Sequence, residues 1–251
     1  MDLIKIKMRI HVTAASGCRR ELMHRIHGDD QLPHHFLAVK GILTHKVIEN
    51  CLMDVEDYEI KYPGLIEDRQ GTGSRNDKER ILEEVYVESL PAVAQGLDNY
   101  KAWVGETTVD IDHLITEETQ VTPYKGHEII GTPDAYGPEV LIDFKSGKTV
   151  QADYKKQLAA YEWMLRNNDK LSGHVKHKII LLGQDPSIEL AKRERTIPKG
   201  DIEKGLGEWF RDVDDYIRES ELIIADPEYK PPCKFGVKCG FCSYRHLCNG
   251  I

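Results

Sequence analysis

Apolar residues change their spacing near the middle of this 251-residue chain. Three stretches there alternate or carry short β-branched runs between Gly and Pro, which predicts a meander of three strands: TTVDIDHLI, GHEIIGTPDAYG and EVLIDFKSG. Helical spacing returns over 153–167, HVKHKIILLG is typical of a buried strand with which SIELAKRERTIP could pair, and a last helix is predicted over 199–223. This order predicts an α/β fold with a mixed central sheet flanked by helices.

The first hundred residues instead favour helices. Thr13 or Ser16 could cap a helix that ends at His27, and apolar residues recur at helical spacing over 37–53. Pro and Gly residues indicate an irregular loop over 57–77, and a further helix is predicted over 78–100 with a break near Pro91. We therefore predict three regions: a mainly helical one over 1–100, a core over 101–225 and a cysteine-rich segment over 226–251.

Composition predicts a folded protein, because 40% of the residues are hydrophobic and 30% are charged. No window approaches the roughly 18 apolar residues of a membrane span, and the first residues alternate like a strand, so we expect a cytoplasmic protein without a membrane partner. The formal net charge of -8 argues against non-specific attraction to a polyanion. Contact with nucleic acid would then depend on local basic groups, such as Lys145, Lys148, Lys155 and Lys156.

Two aspartates and a lysine lie at the ends of neighbouring predicted strands, in Gly131-Thr-Pro-Asp134 and Asp143-Phe-Lys145. Carboxylates supply hard oxygen ligands to Mg²⁺ or Mn²⁺, which polarises a phosphoryl oxygen and helps to generate hydroxide. Side chains alternate along a strand, so Asp143 and Lys145 share a face, where the lysine could stabilise developing charge or orient water. The pattern predicts a site for phosphodiester hydrolysis.

Residues on two predicted helices point to the same place. His45 and Glu49 lie at i, i+4, and His45 could add an imidazole ligand to the metal. Gln157 and Tyr161 show the same spacing after the lysine and could bond to DNA phosphates or brace Lys145. Each residue alone is typical of an ordinary turn or surface position. Their order along the predicted helix–strand–strand–helix frame favours one joint site.

This ordered set resembles the successive motifs of RecB-type nucleases in the PD-(D/E)XK superfamily: His45, Gly131-x-x-Asp134, Asp143-x-Lys145 and Gln157-x-x-x-Tyr161. The resemblance covers the chain from Cys18 to Cys248 through short motifs. It implies a restriction-endonuclease-like fold, with the nuclease core over 101–225 and Lys145 as a catalytic residue. It also implies a set of metal ligands: His45, Asp134, Asp143 and the main-chain carbonyl of Phe144.

Four of the six cysteines fall in the C-terminal stretch PPCKFGVKCGFCSYRHLC: Cys233, Cys239, Cys242 and Cys248. Such spacing in a cytosolic chain favours metal binding over structural disulfides, and thiolates suit either Zn²⁺ or an iron-sulphur cluster. These four could form a self-contained knuckle, or Cys18 could replace Cys233 and join the two ends of the chain. Cys51, on an apolar helical segment, is typical of a buried thiol.

The second ligand set resembles that of the iron-sulphur nucleases among RecB-type proteins: Cys18 followed by Arg19 and Arg20, then Cys239, Cys242 and Cys248. It implies a [4Fe-4S] cluster that staples the C-terminal segment to the N-terminal region. The size is similar to that of CRISPR-associated exonucleases, and AddB-like nuclease domains share the staple. The resemblance implies DNA as substrate, single-stranded or with single-stranded ends, and protein partners in CRISPR adaptation or recombination.

Three functional hypotheses follow from these patterns. The first is a metal-dependent exonuclease that acts on DNA ends. The second is a non-catalytic nucleic-acid-binding module that keeps an iron-sulphur cluster or zinc. The third is a zinc-knuckle adaptor for a protein partner.

Overall fold

The computed structural model describes residues 7–29, 43–45, 75–185, 187–232, 244 and 247–248. In the longest helix, which begins at residue 75, side chains are described from residue 91 onwards. Several sequence predictions lie outside these residues. They are the helix predicted over 37–53, except for residues 43–45, and the part of the predicted loop over 57–77 that precedes residue 75. Five individual residues also lie outside: Glu49, Cys51, Cys233, Cys239 and Cys242.

Five strands follow one another between residues 115 and 145, and helices and strands alternate after them. The described strands are β1 (Arg9–His11), β2 (Ile115–Thr116), β3 (Gln120–Tyr124), β4 (His127–Gly131), β5 (Ala135–Gly137), β6 (Val140–Lys145), β7 (Lys176–Leu181) and β8 (Glu194–Ile197). The described helices are α1 (Val12–Ala15), α2 (Arg19–His27), α3 (Arg75–Glu106), α4 (Ala152–Asn167), α5 (Leu190–Arg193) and α6 (Lys199–Ala225), with a 3₁₀ turn at Ile111–His113.

The larger sheet has five strands in the order β2-β5-β6-β7-β8. Strands β6 and β7 are parallel and are connected through α4, whereas the other neighbours are antiparallel. A smaller sheet has the order β1-β4-β3. The predicted mixed sheet flanked by helices is therefore confirmed.

Side-chain alternation along β6 buries both faces of the larger sheet. Leu141 packs in a core with Leu158 of α4, while Ile142 and Phe144 pack in a second core with Trp103 of α3. Asp143 alternates with Ile142 and Phe144, so it lies on the face that α4 covers.

The predicted three-strand meander is wrong, because its residues form short strands in two sheets. TTVDIDHLI contains the 3₁₀ turn and the start of β2, and GHEIIGTPDAYG divides into β4 and β5, which belong to different sheets. Pro133 lies at the division, where it cannot donate to a ladder. Strand β3 was not predicted; it contains Pro123, which is tolerated because β3 is an edge strand.

The helices over 153–167 and 199–223 are confirmed, and so is a helix over 78–100, but its predicted break near Pro91 and the predicted caps of α2 are wrong. Helix α3 begins at Arg75 and continues through Pro91 to Glu106, and its buried Trp103 packs against Phe144 with ring centroids 5.5 Å apart. Packing of this kind outweighs the backbone hydrogen bond that a proline removes.

Cys18, rather than Thr13 or Ser16, precedes α2, and Ser16 instead donates to Asp212 at 2.7 Å. Within the described residues, no helix has both the length and the apolar character needed to cross a bilayer.

Candidate active site

The two aspartates meet where β5 and β6 pair. Asp134 directly precedes β5, and the register of Ala135 with Ile142 places it opposite Asp143. The backbone N–H of Phe144 donates to Asp134 Oδ2 at 2.6 Å. Asp134 is 7% exposed and Asp143 is fully buried, so the fold holds two carboxylates side by side away from bulk water.

Lys145 connects this pair to α4. Its Nζ donates to Asp143 Oδ1 at 2.6 Å and to Gln157 Oε1 at 3.0 Å, and Gln157 Nε2 donates to Tyr161 Oη at 3.0 Å. The same ammonium lies 4.8 Å from the ring centroid of Tyr154, a contact that the sequence did not suggest. The structure thus brings the predicted catalytic residues into one hydrogen-bonded row.

His45 completes the predicted set. Its Nδ1 lies 3.4 Å from Asp134 Oδ1, and its side chain is 29% exposed. Burial opposes protonation of the ring, but the charge and hydrogen bond of Asp134 outweigh it and raise the pKa of His45. The imidazole and the Asp134 carboxylate therefore form a close pair at the edge of the site.

Glu117 is a site residue that the sequence analysis missed. The register of Thr116 with Ala135 places Glu117 opposite Asp134, and its backbone N–H donates to the Asp134 carbonyl at 3.2 Å. Ligand atoms of His45, Glu117 and Asp134 all lie within 4.8 Å of one another. Glu117 can be assigned to the site only from the pairing of β2 with β5. The prediction of one strand over TTVDIDHLI did not include that pairing.

The electrostatics of the site fit a hard divalent cation. Burial, together with the neighbouring Asp134, raises the pKa of Asp143 to about 6 against the opposing effect of Lys145. Asp143 Oδ2 is buried without a hydrogen-bond partner among the described residues. Burial would raise the pKa of Asp134, but His45, Lys145 and the Phe144 N–H outweigh it and lower that pKa. Carboxylate oxygens and an imidazole suit Mg²⁺ or Mn²⁺, so these residues are compatible with the implied metal.

Gly131, the first residue of the GxxD motif, lets β4 pass close to α4. A Cβ at this position would lie 2.8 Å from both Tyr161 Cε1 and Val12 Cγ2, and 3.2 Å from Met164 Sδ. Any side chain at residue 131 would therefore push against the helix that carries Gln157 and Tyr161.

We expect Gly131→Ala to lower the free energy of unfolding by about 1–3 kcal/mol, the usual cost of overpacking. Urea denaturation followed by circular dichroism would measure it. Gly105→Ala is the matched control, because a Cβ there meets nothing within 4 Å and alanine favours the helix. Equal stability of the Gly131→Ala variant and the wild type would contradict the packing argument.

Two of the predicted cluster ligands, Cys18 and Cys248, lie within the described residues. Cys18 precedes α2 and lines a cavity of about 290 Å³ together with Leu22 and Tyr216. From the C-terminal segment, Tyr244 stacks on His24 of α2 with ring centroids 5.5 Å apart. Cys248 is half-buried. The predicted ligand set stays a prediction, because Cys239 and Cys242 lie outside the described residues.

Comparison with known proteins identifies the family. The chain matches the PD-(D/E)XK nuclease superfamily over residues 29–249. A provisionally named exonuclease from Eubacterium rectale is similar in fold: the alignment covers 97% of this chain and 94% of that one, with 11% identity and a TM-score of 0.54. The crystal structure of SSO0001 aligns with 99% of this chain and 89% of its own, with 15% identity and a TM-score of 0.45. No curated protein matches. The chain belongs to the PD-(D/E)XK nuclease superfamily.

Proposed function

We propose that this protein is a Mg²⁺- or Mn²⁺-dependent deoxyribonuclease that hydrolyses phosphodiester bonds from DNA ends. The observation that supports it best is the hydrogen-bonded row of Asp143, Lys145, Gln157 and Tyr161 beside Asp134. Membership of a nuclease superfamily supports hydrolysis of nucleic acid in particular.

The metal would be held by His45, Asp134, Asp143 and the main-chain carbonyl of Phe144. When bound, a divalent cation stabilises charge on the scissile phosphate and supplies hydroxide near neutral pH. Lys145 would be the catalytic cation. Two of its three N–H groups donate to Asp143 Oδ1 and Gln157 Oε1, which fixes the ammonium and leaves the third to donate to developing negative charge.

Gln157 and Tyr161 would act through this lysine. The amide oxygen of Gln157 accepts from Lys145, and its amide N–H donates to Tyr161. Gln157 and Tyr161 thus fix the position of the ammonium relative to α4. The phenol is anchored on the buried face of α4, and burial raises the pKa of Tyr161, which keeps it neutral. We assign both residues a positioning role.

Few of the basic residues noted in the sequence are available for DNA. Lys155 donates to Asp201 at 2.6 Å and Lys156 to Asp212 at 2.8 Å, whereas Lys148 is exposed beyond the end of β6. Of these four lysines, Lys148 is therefore the one best placed to contact a phosphate, while Lys145 lies in the site itself. We take the substrate to be DNA that is single-stranded or has single-stranded ends, as the resemblance to RecB-type nucleases implies.

For the C-terminal segment we propose a [4Fe-4S] cluster bound by Cys18, Cys239, Cys242 and Cys248. The stacking of Tyr244 on His24 and the Arg20 Nε bond to the Pro231 carbonyl at 3.4 Å support a junction between this segment and α2. Such a cluster suits a reducing, cytoplasmic environment. We place the activity in CRISPR adaptation or in recombination and repair, with the proteins that handle the same DNA ends as partners.

The test is degradation of end-labelled linear DNA by anaerobically purified protein with Mn²⁺, beside a covalently closed circle of the same sequence. We expect linear DNA, single-stranded or with single-stranded ends, to shorten from its ends, the circle to persist, and EDTA to stop the reaction. Equal cutting of the circle would overturn the exonuclease assignment. Binding of DNA without any cleavage in Mn²⁺ would support the non-catalytic module instead.

A further inference from the structure

Glu117 lies in the site although no motif predicted it. In the sheet order β2-β5-β6, Glu117 follows β2 and Asp143 lies on β6, so the two acids flank Asp134 from opposite sides. Its carboxylate gathers with His45 and Asp134, with ligand atoms within 4.8 Å of one another. Adjacent strands are only about 4.8 Å apart, which permits one small cation to reach side chains from both.

The neighbouring acid, Glu118, lies in a hydrogen-bond network away from the metal-ligand group. Glu118 accepts hydrogen bonds from Lys170 at 2.9 Å and Gln120 at 2.8 Å, and also from the Tyr136 hydroxyl. Glu118 is therefore committed to a structural network at the edge of the sheet. Of these two consecutive glutamates, Glu117 is the one that joins the site.

The backbone at Glu117 adopts a conformation that glutamate seldom occupies. Its φ is 49°, in the left-handed region that favours Gly or Asn. Such strain is unfavourable and persists where the surroundings impose it. Here the N–H of Glu117 donates to the Asp134 carbonyl, so the strained turn ties the two acids together.

A second observation, at Asp143 on the next strand, also points to a cation beside Asp134. Asp143 Oδ2, on the other side of Asp134, is fully buried and has no hydrogen-bond partner among the described residues. A buried carboxylate oxygen is costly unless a hydrogen bond or a cation compensates it. The carboxylates on both sides of Asp134 are thus suited to binding a divalent cation.

We propose that Glu117 is a metal ligand of this site, and this inference rests on the proposed metal-dependent hydrolysis. Together with His45 and Asp134 it supplies two carboxylates and an imidazole to a Mg²⁺- or Mn²⁺-type cation. The additional carboxylate raises the affinity of the site for the cation, because affinity increases with the number of charged ligands.

The test is Mn²⁺ binding to the full-length holoprotein, measured by isothermal titration calorimetry. We expect Glu117→Gln to weaken Mn²⁺ binding by about 10- to 100-fold, a loss of the size seen when groups that support a metal are removed. Asp134→Asn should weaken it at least as much. Glu139→Gln, at the exposed β5–β6 turn, is the matched loss of charge and should bind Mn²⁺ like the wild type.

The results separate this inference from the proposed function. If Glu117→Gln binds like the wild type while Asp134→Asn does not, Glu117 is not a ligand and the metal site stands. If Asp134→Asn also binds like the wild type, the proposed metal site itself fails. Glu117→Asn guards against a folding defect, because asparagine tolerates the left-handed turn, and it should show the same loss of binding.

Discussion

Asp143→Asn is expected to lower the rate of DNA hydrolysis by about 10²- to 10³-fold, the range found when a group that stabilises transition-state charge is removed. The asparagine keeps the shape of the side chain but removes the carboxylate that orients Lys145 and faces the proposed metal. Removing one partner of a buried ion pair leaves the Lys145 ammonium partly uncompensated, so we expect the metal-free protein to fold but to be less stable than the wild type.

Initial rates on end-labelled linear DNA with Mn²⁺ measure the catalytic effect, and thermal unfolding without metal measures the effect on the fold. Mn²⁺ should raise the melting temperature of the wild type and not that of Asp143→Asn. Glu139→Gln should match the wild type in both measurements. A rate within a few-fold of the wild type, in a folded Asp143→Asn protein, would exclude the carboxylate from catalysis.

Cys18→Ser is expected to yield protein without iron that unfolds well below the wild-type temperature. A cluster bound by Cys18, Cys239, Cys242 and Cys248 would close a loop of more than two hundred residues. In the chain-entropy treatment of cross-links, closing a loop of that size stabilises the folded state by about 5 kcal/mol. Losing it would also release the segment around Tyr244 from α2.

Iron and labile-sulphide analysis, with an absorbance spectrum and a melting curve, measures this effect in one preparation. Cys233→Ser is the matched control, because it lies in the same cysteine-rich segment but outside the proposed ligand set, and it should keep both iron and stability. The reverse pattern, with iron kept in Cys18→Ser and lost in Cys233→Ser, would replace the staple with a self-contained knuckle. A colourless wild-type protein with zinc would replace the cluster itself.

Much of the site was predictable because it depends on short-range periodicity. Asp143 and Lys145 lie two residues apart on one strand, and Gln157 and Tyr161 lie one turn apart on one helix, so each pair shares a face whatever the rest of the chain does. Helix α4 was predictable for the same reason. The contact of Lys145 with Gln157 then followed from the connection of β6 to α4.

The strands on either side of Asp134 were predicted poorly because short strands leave weak local signals. Strand β2 has two residues and β5 has three, and neither is long enough to show alternation. Their identity depends on partners: β4 pairs with β1, which lies more than a hundred residues earlier, and β5 pairs with β6. The local sequence pattern therefore predicted one strand where the structure has two, β4 and β5, in different sheets.

Side-chain spacing within single elements was enough to predict the motif pairs, the flanking helices and the mixed α/β class. Which acids meet depends instead on tertiary contacts. Asp134 and Asp143 are neighbours through the β5–β6 register, and Glu117 joins them through the β2–β5 register. His45 reaches Asp134 from the N-terminal half of the chain. Contacts between distant residues depend on strand register and packing, which spacing along one chain does not encode.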